Sequence, residues 1–360
     1  KELVIVAEEL NASGGIRILT AIANIAAELG IKVRLICPDY SANPFYPICS
    51  SVELCAIKTG RNSRRLRFTL AVMRASTEIR CIFLTPNYRT VILISLAKLI
   101  TRQKPPILLV QGFDTLTLIN LINTSGVKKW INRYLYWLSC VVPCRRIFVS
   151  EYLRRSIGKD GSLIPNFVAP IFLETGNSAE PPADDVIRVG FIANATPNKG
   201  MDVFLDGVRL FMGRAAALPT SIEIACATQD RALAEKHAGM GIMFIQPKSD
   251  RELKDFYRSC QIFLSLSISE GFGLHVLEAM ASGCAVVSTN SGGVTDFLHD
   301  GENGLLLAER SAAAMAEAVA SLVSDPERRR RLGVMGRVTA SDYDLARFRD
   351  NYRRFFSTYD

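Results

Sequence analysis

The stretch Ser269–Gly283, with the sequence SEGFGLHVLEAMASG, carries Glu270 before a Gly-x-Gly turn and Glu278 inside an apolar run. On a helix this separation is about 12 Å along the axis and roughly 80° around it, so the two carboxylates serve different purposes. A carboxylate in apolar company needs hydrogen-bond donors, and nothing in its own run supplies one to Glu278. The N–H groups after Gly271 and Gly273 suit a diphosphate at a helix start. The stretch therefore predicts a nucleotide-sugar site, with ribose at Glu278, diphosphate at the glycines and sugar near Glu270.

The simpler alternative is a helix that carries two glutamates by chance, since short motifs give frequent false positives. The surrounding sequence favours the functional interpretation. The stretch resembles the signature of retaining glycosyltransferases of family four, also called glycosyl transferases group 1, which includes bacterial polysaccharide enzymes. The resemblance runs in the expected order through Gly14-Gly15, Ile164–Asn166, Asn198–Gly200, Ala285–Gly293, Asp296 and Asp300–Leu306. It implies the GT-B fold, an α/β fold of two doubly wound Rossmann-like domains that face an interdomain cleft.

The resemblance also assigns roles to individual residues. It implies that Glu270 and Lys199 are the catalytic residues, with Lys199 neutralising the departing diphosphate as its charge grows. Donor-binding residues would be Gly14, Gly15, Gly271, Phe272, Gly273, Leu274, Glu278, Asn194 and Gly292. The sugar or acceptor side would include Gln111 and Asp114, although Asp114 equally suits a helix N-cap.

One departure from the family pattern concerns the basic residue that usually acts together with the lysine at position 199. The family typically places an arginine just after the glycine of the preceding strand, and here Phe191 follows Gly190. We therefore expect Lys199 to act with Asn194 or Thr196, or with a basic residue from elsewhere. A solvated surface lysine is the alternative interpretation of Lys199.

Length and element order predict two domains. A chain of 360 residues exceeds one ordinary core, and its 49% hydrophobic and 22% charged residues describe a folded globular protein. Short β-rich runs alternate with helical ones, which predicts parallel sheets covered on both faces. The predicted domains are residues 1–170 and 186–340, with a linker at 171–185. A final helix at 343–360 is expected to pack back on the first domain.

Composition also argues against several functional classes. The nine cysteines form no Cys-x-x-Cys pair and the three histidines are scattered, so we predict no metal site and a reducing, cytoplasmic location. No apolar run reaches the roughly 18 residues of a membrane span. No nucleic-acid motif is recognisable. No cofactor is expected, because the nucleotide-sugar would be a substrate.

Charge is divided unevenly along the chain. Residues 1–170 contain 23 Lys/Arg and 10 Asp/Glu, a net of +13, whereas residues 171–360 contain 20 and 25, a net of −5. The basic half suits an anionic partner, and we favour a membrane surface over a lipid-diphosphate acceptor or nucleic acid. The basic run Arg61–Arg67 and the mixed run Lys128–Trp137 are the predicted contacts. An ordinary amphipathic helix with a solvated face remains the alternative.

These observations predict a retaining glycosyltransferase that needs no metal. Its donor would be a nucleotide-sugar, and its acceptor a growing glycan or glycolipid in cell-surface polysaccharide assembly, with peripheral attachment to the inner membrane face. Two alternatives stay open, because fold does not fix function. One is a non-catalytic nucleotide-sugar-binding subunit, and the other is an epimerase or phosphorylase on the same fold.

Overall fold

A computed structural model of the chain describes residues 2–59, 64–78, 81–112, 126–174, 186–194, 196–215 and 220–358. The chain falls into two compact units. The first comprises Lys1–Asn166 and Ala346–Asp360, and the second comprises Phe167–Leu345. The predicted domain boundaries stay predictions, because most of the predicted linker, from residue 175 to 185, lies outside the described residues.

The first unit is built on a parallel sheet of seven strands in the order β3-β2-β1-β4-β5-β6-β7. A 3-10 turn at Asp39–Ser41 follows β2. The elements, in chain order, are β1 (Glu2–Val6), α1 (Gly14–Glu28), β2 (Lys32–Pro38), β3 (Val52–Ile57), α2 (Arg64–Ser76), β4 (Cys81–Thr85), α3 (Tyr88–Ile100), β5 (Ile107–Val110), α4 (Val127–Val141), β6 (Arg145–Phe148), α5 (Glu151–Ile157) and β7 (Ser162–Leu163).

The second unit contains a parallel sheet of six strands in the order β10-β9-β8-β11-β12-β13. Two 3-10 turns, Pro197–Lys199 and Gly293–Asp296, follow β8 and β12. The elements are α6 (Pro170–Leu173), β8 (Val186–Ala193), α7 (Met201–Ala215), β9 (Ser221–Thr228), α8 (Arg231–Lys236), β10 (Ile242–Ile245), α9 (Asp250–Arg258), β11 (Ile262–Ser265), α10 (Leu274–Ala281), β12 (Ala285–Thr289), β13 (Leu305–Leu307), α11 (Ala312–Ser324) and α12 (Pro326–Ser341). The last helix, α13 (Leu345–Ser357), lies almost wholly in the first unit.

The alternation of strands and helices follows from burial on both sheet faces. Every residue of β11 and β12 is buried, as expected for central parallel strands. In each sheet the strand order reverses at one point, between β1 and β4 in the first and between β8 and β11 in the second. In doubly wound sheets, ligands bind beyond the carboxyl ends of the strands at these reversals. The loops after β1, β4, β8 and β11 are therefore the places to look for a site.

Candidate functional site

The loops that follow β8 and β11 bring Lys199 and Glu270 together, although 71 residues separate them. The ammonium Nζ of Lys199 lies 2.7 Å from Oε1 of Glu270. The hydroxyl of Ser267 donates to the same oxygen, also at 2.7 Å. The two charged side chains are only 19% and 16% exposed. The two predicted catalytic residues thus form a partly buried ion pair at the strand-order reversal of the second sheet.

Electrostatics keep Glu270 ionised. Burial alone would raise its pKa, but the charge of Lys199 and hydrogen bonds from Lys199 and Ser267 outweigh burial and lower the pKa of Glu270 to about 2. A group that is ionised at neutral pH accepts hydrogen bonds and attracts positive charge, and does not donate a proton. Glu270 therefore suits the positioning of sugar hydroxyls or the stabilisation of positive charge.

Asn198 clamps the two loops that carry this pair. Its side-chain amide donates to the carbonyl oxygen of Ser269 at 2.9 Å and accepts from the N–H of the same residue at 3.1 Å. Its own carbonyl oxygen accepts from the N–H of Ile268 at 2.8 Å. Gly200, at φ +81°, allows the close approach, because a Cβ there would lie 2.2 Å from the carbonyl oxygen of Leu266. The Lys199 loop is thus held rigidly against the Glu270 loop.

The predicted phosphate loop is built from closely packed backbone. Gly273 takes φ +94° at the N-cap of α10, and it has no side-chain cap hydrogen bond. A Cβ on Gly293 would lie 2.3 Å from the carbonyl oxygen of Gly271. The N–H of Gly293 donates to the carbonyl oxygen of Glu270, and Glu270 forms a bridge with Gly292. The first N–H groups of a helix have no intrahelical acceptor, so this turn can present donors to an anion.

Two predicted donor residues lie beside this turn, at positions 272 and 274. The side chain of Phe272 is 3% exposed and packs against Phe297 and Tyr343. Phe272 can therefore contribute to a ligand only through its backbone. Leu274, the first residue of α10, is half-buried.

Glu278 lies in α10 and is 5% exposed. The hydroxyl of Tyr257, on α9, donates to its Oε2 at 3.1 Å. Glu278 thus has a hydrogen-bond partner within the protein, from outside its own apolar run. The sequence concealed this contact because Tyr257 belongs to another helix, 21 residues upstream. Ribose binding by Glu278 stays a prediction, and Tyr257 is the residue that would hold the carboxylate in position.

The position expected to carry an arginine is part of the core. Phe191 is 1% exposed, and its ring stacks on that of Phe204 with centroids 4.2 Å apart. Asn194, predicted to assist Lys199, instead shapes its own turn by accepting from the N–H and hydroxyl of Thr196 at 3.1 and 2.6 Å. Its role at a ligand stays a prediction.

His275 completes the surroundings of the ion pair. Its Nε2 lies 3.0 Å from the hydroxyl of Ser265 at the end of β11. Burial and the charge of Lys199 lower the pKa of His275 to about 3, so the ring is neutral at physiological pH. A neutral ring adds no positive charge beside Lys199 and accepts or donates according to its tautomer.

In the first unit, Gly15 and Gln111 come together beyond β1 and β5. The side-chain amide of Gln111 donates to the carbonyl oxygen of Gly15 at 2.9 Å. A Cβ on Gly15 would lie 2.6 Å from Oε1 of Gln111, so a larger residue there would displace the glutamine side chain. Gly14 begins α1 beside it. Asp114, predicted to lie on the same side, falls outside the described residues.

A pocket of about 520 Å³ opens at this place within the first unit. Its lining includes Gly15, Gln111, Glu8 and Asn87, and Asn87 donates to a carboxylate oxygen of Glu8 at 2.7 Å. Sequence inspection missed Glu8 and Asn87. Their positions directly after β1 and β4, the strands where the order reverses, were the available signal.

A possible metal-ligand group also exists among the described residues, formed by Glu2, Glu78 and Cys81. Arg34 pairs with both carboxylates, with its Nε 3.0 Å from Oε1 of Glu2. The group lies at the amino ends of β1 and β4, the edge opposite to the pocket. We interpret it as a structural ion-pair network. None of the helices in the described ranges combines the length and apolarity needed to cross a bilayer.

Sequence comparison with known proteins finds its matches in the second unit. Residues 177–338 match the family model described as glycosyl transferases group 1. A D-inositol 3-phosphate glycosyltransferase of Stackebrandtia nassauensis is 32% identical over 161 residues, which are 41% of this chain and 36% of that protein. The match thus spans about a third of the length of the curated relative.

Solved structures extend the likeness to the whole chain. Sucrose-phosphate synthase from Thermosynechococcus elongatus superposes with a TM-score of 0.75 at 18% identity, covering 99% of this chain and 100% of that one. The Anabaena protein HepE, solved in complex with UDP-glucose, gives a TM-score of 0.74 at 14% identity and covers 99% of both chains. At such identities the likeness shows the fold. The predicted GT-B class, with two doubly wound α/β domains, is confirmed.

Proposed function

We propose that this protein is a retaining, metal-independent glycosyltransferase. It transfers a sugar from a nucleotide-sugar to a glycan or glycolipid acceptor at the inner membrane face, in cell-surface polysaccharide assembly. The observation that carries the proposal is the Lys199–Glu270 ion pair at the strand-order reversal of the second sheet. The family match over the same unit and the UDP-glucose complex of a protein with the same fold support it.

Each group near the pair has a task in this scheme. Lys199 neutralises the diphosphate as the glycosidic bond breaks, helped by N–H groups at the start of α10. A lysine and a helix N-terminus together supply positive charge, which is the role that a metal ion fills in other transferases. Glu270, ionised with a pKa of about 2, orients the donor sugar. Glu278, steadied by Tyr257, accepts hydrogen bonds from the ribose.

The acceptor side belongs to the first unit in this proposal. Its pocket holds polar groups from Glu8, Asn87 and Gln111 beyond the carboxyl ends of the strands. Carboxylate and amide groups match the hydroxyls of a sugar acceptor, because each sugar hydroxyl both donates and accepts.

A second candidate is a nucleotide-sugar-binding subunit without activity. It is favoured by Phe191, whose buried aromatic ring takes the place expected for an arginine at the diphosphate. With one cationic side chain fewer, charge development on the leaving group is less well stabilised.

Binding and turnover separate the two candidates. Thermal shift against UDP-, GDP- and dTDP-sugars should identify a donor, since a ligand at 100 times its dissociation constant adds about 2.7 kcal/mol of stability. Release of nucleoside diphosphate from that donor supports the transferase, and binding without release supports the subunit. NMR of the product anomer tests retention, and activity after chelation tests metal independence.

A further inference from the structure

Helix α4 carries an apolar stripe that faces solvent. Its six members are between 51% and 74% exposed: Val127, Trp130, Ile131, Tyr134, Trp137 and Val141. At 100° per residue they fall within an arc of about 120°. Single exposed apolar residues are ordinary, but a contiguous patch that includes three aromatic rings marks an interaction surface.

Apolar side chains are also exposed on α3, which packs beside α4, and on α2, which packs beside α3. The rings of Tyr88 on α3 and Tyr136 on α4 pack edge to face at 6.2 Å, and Arg89 donates to Asn132 at 2.8 Å. Helices α2 and α3 share one core cluster through Phe68 and other buried residues. Both also expose apolar side chains to solvent, namely Leu66, Leu70 and Met73 on α2 and Leu96, Leu99 and Ile100 on α3.

The three helices are also uniformly basic. Together they contain nine Lys/Arg residues and no Asp or Glu. They are Arg64, Arg65, Arg67 and Arg74 in α2, Arg89 and Lys98 in α3, and Lys128, Lys129 and Arg133 in α4. Among those whose side chains the structure describes, Arg67, Arg74, Arg89 and Arg133 are exposed, whereas Lys98 is buried. On α4 the guanidinium of Arg133 lies 5.5 Å from the ring centroid of Trp130, and Tyr134 stacks on Trp137. Amphipathic aromatic rings beside cations are the arrangement found at lipid headgroups.

We propose that this α2–α4 face, the exposed apolar and basic side of α2, α3 and α4, is the surface that docks on an anionic lipid bilayer. Trp130, Tyr134 and Trp137 lie at the level of the headgroups, and the exposed arginines meet lipid phosphates. The proposal deepens the proposed function by naming the membrane-binding surface. It depends on the proposed function only to explain why this protein would bind a membrane.

The positive charge of the α2–α4 face favours an anionic bilayer over a second copy of the chain as its binding partner. A two-fold interface places the same surface on both sides, so two copies of the α2–α4 face would place the same four exposed arginines, Arg67, Arg74, Arg89 and Arg133, against each other. An anionic leaflet instead attracts each basic residue near its surface by an amount that corresponds to roughly fivefold in affinity. The apolar stripe supplies the remaining binding through burial in the interface.

The chain itself provides the probe, because both of its tryptophans lie on this face. The test titrates the full chain, without donor or acceptor, with vesicles of phosphatidylglycerol and phosphatidylcholine in equal parts and with vesicles of phosphatidylcholine alone. We expect a blue shift of tryptophan emission and cosedimentation with the anionic vesicles. Both should decline between about 0.1 M and 1 M salt, where the Debye length falls from about 10 to 3 Å.

Variants locate the contact. The double change Trp130→Ser and Trp137→Ser should weaken cosedimentation by about tenfold or more, as expected from lost aromatic burial. Arg133→Gln should weaken it by about fivefold. Matched controls on α12, the pair Val334→Ser and Val338→Ser and the change Arg330→Gln, remove exposed side chains of the second unit and should leave binding unchanged.

The outcomes are distinguishable. Vesicle binding that ignores lipid charge, or that the α4 variants do not weaken, overturns the proposal. A salt-resistant dimer in sedimentation velocity that protects both tryptophans and binds no vesicles assigns the face to a second copy instead. Because the assay contains no sugar nucleotide, its failure leaves the transferase proposal standing. Conversely, absence of transferase activity would refute the proposed function and leave the docking proposal standing, because vesicle binding is measured without substrates.

Discussion

Replacing Lys199 with methionine removes the ammonium group 2.7 Å from Glu270 and retains a side chain of similar length. If Lys199 neutralises the leaving diphosphate, turnover should fall by about a hundredfold or more, the scale of losing one such electrostatic partner. Donor affinity should fall less, because the charge of the diphosphate grows mainly as the bond breaks. The loss should therefore appear chiefly in kcat.

The same change has a predictable effect on stability. The paired side chains are 19% and 16% exposed, between a surface pair and a fully buried one, so the loss should be roughly 1–3 kcal/mol. The pKa of Glu270 is lower in the folded protein than in the unfolded chain, so its ionised carboxylate stabilises the fold above the unfolded pKa of 4.5. This stabilisation disappears as the pH falls towards about 2. The difference in unfolding free energy between wild type and variant should shrink over that range.

The assay is release of nucleoside diphosphate at saturating donor, with urea denaturation as the stability measurement. Arg188→Met is the matched control. It breaks an ion pair with Glu223 that is also 2.7 Å long and includes a side chain 21% exposed, near the amino end of β8. The control should lose stability and keep its turnover. Turnover of Lys199→Met within threefold of wild type would refute the reasoning, and would show that another residue handles the diphosphate.

Three further predictions concern single residues. Glu278→Ala should weaken binding of nucleotide and nucleotide-sugar alike by roughly 1.5–3 kcal/mol in calorimetry, and unchanged affinity in a folded variant would end the ribose assignment. Gly293→Ala places a Cβ 2.3 Å from the carbonyl oxygen of Gly271, so donor affinity should fall about tenfold; Gly213→Ala, which meets open space, should not change it. The pKa of His275 is near 3 in the folded protein and 6.5 in the unfolded chain, so the unfolded chain binds a proton first as the pH falls. The wild type should therefore lose stability between pH 6.5 and pH 3. His275→Gln should remove a slope of up to about 1.4 kcal/mol per pH unit in urea unfolding, and identical pH profiles would contradict the buried neutral ring.

The alternation of strands and helices was sufficient to predict two doubly wound domains, because parallel strands buried on both faces leave a continuous apolar signature. The family resemblance placed Lys199 and Glu270 in one catalytic site, and each follows a central strand at its carboxyl end, where doubly wound sheets bind ligands. Their pairing at 2.7 Å fits that expectation, while their catalytic roles stay predictions.

Contacts between separate helices could not be predicted from the sequence. The hydroxyl of Tyr257 reaches Glu278 only because α9 packs beside α10, and no local pattern indicates that packing. Likewise, the Asn198 clamp depends on the distance between two loops. The run Lys128–Trp137 was predicted to be a surface contact, but its sequence did not show which of its rings are exposed, because the period of an amphipathic helix does not indicate which face is buried.

The most direct test of the central claim measures donor cleavage by wild type and Lys199→Met in parallel. Each protein is incubated with the nucleotide-sugar that stabilises the wild type most, and released nucleoside diphosphate is quantified. The account predicts release by the wild type and a rate about a hundredfold lower, with binding retained, for Lys199→Met. Tight binding of the donor without any release by the wild type, with acceptor glycans supplied, would contradict it.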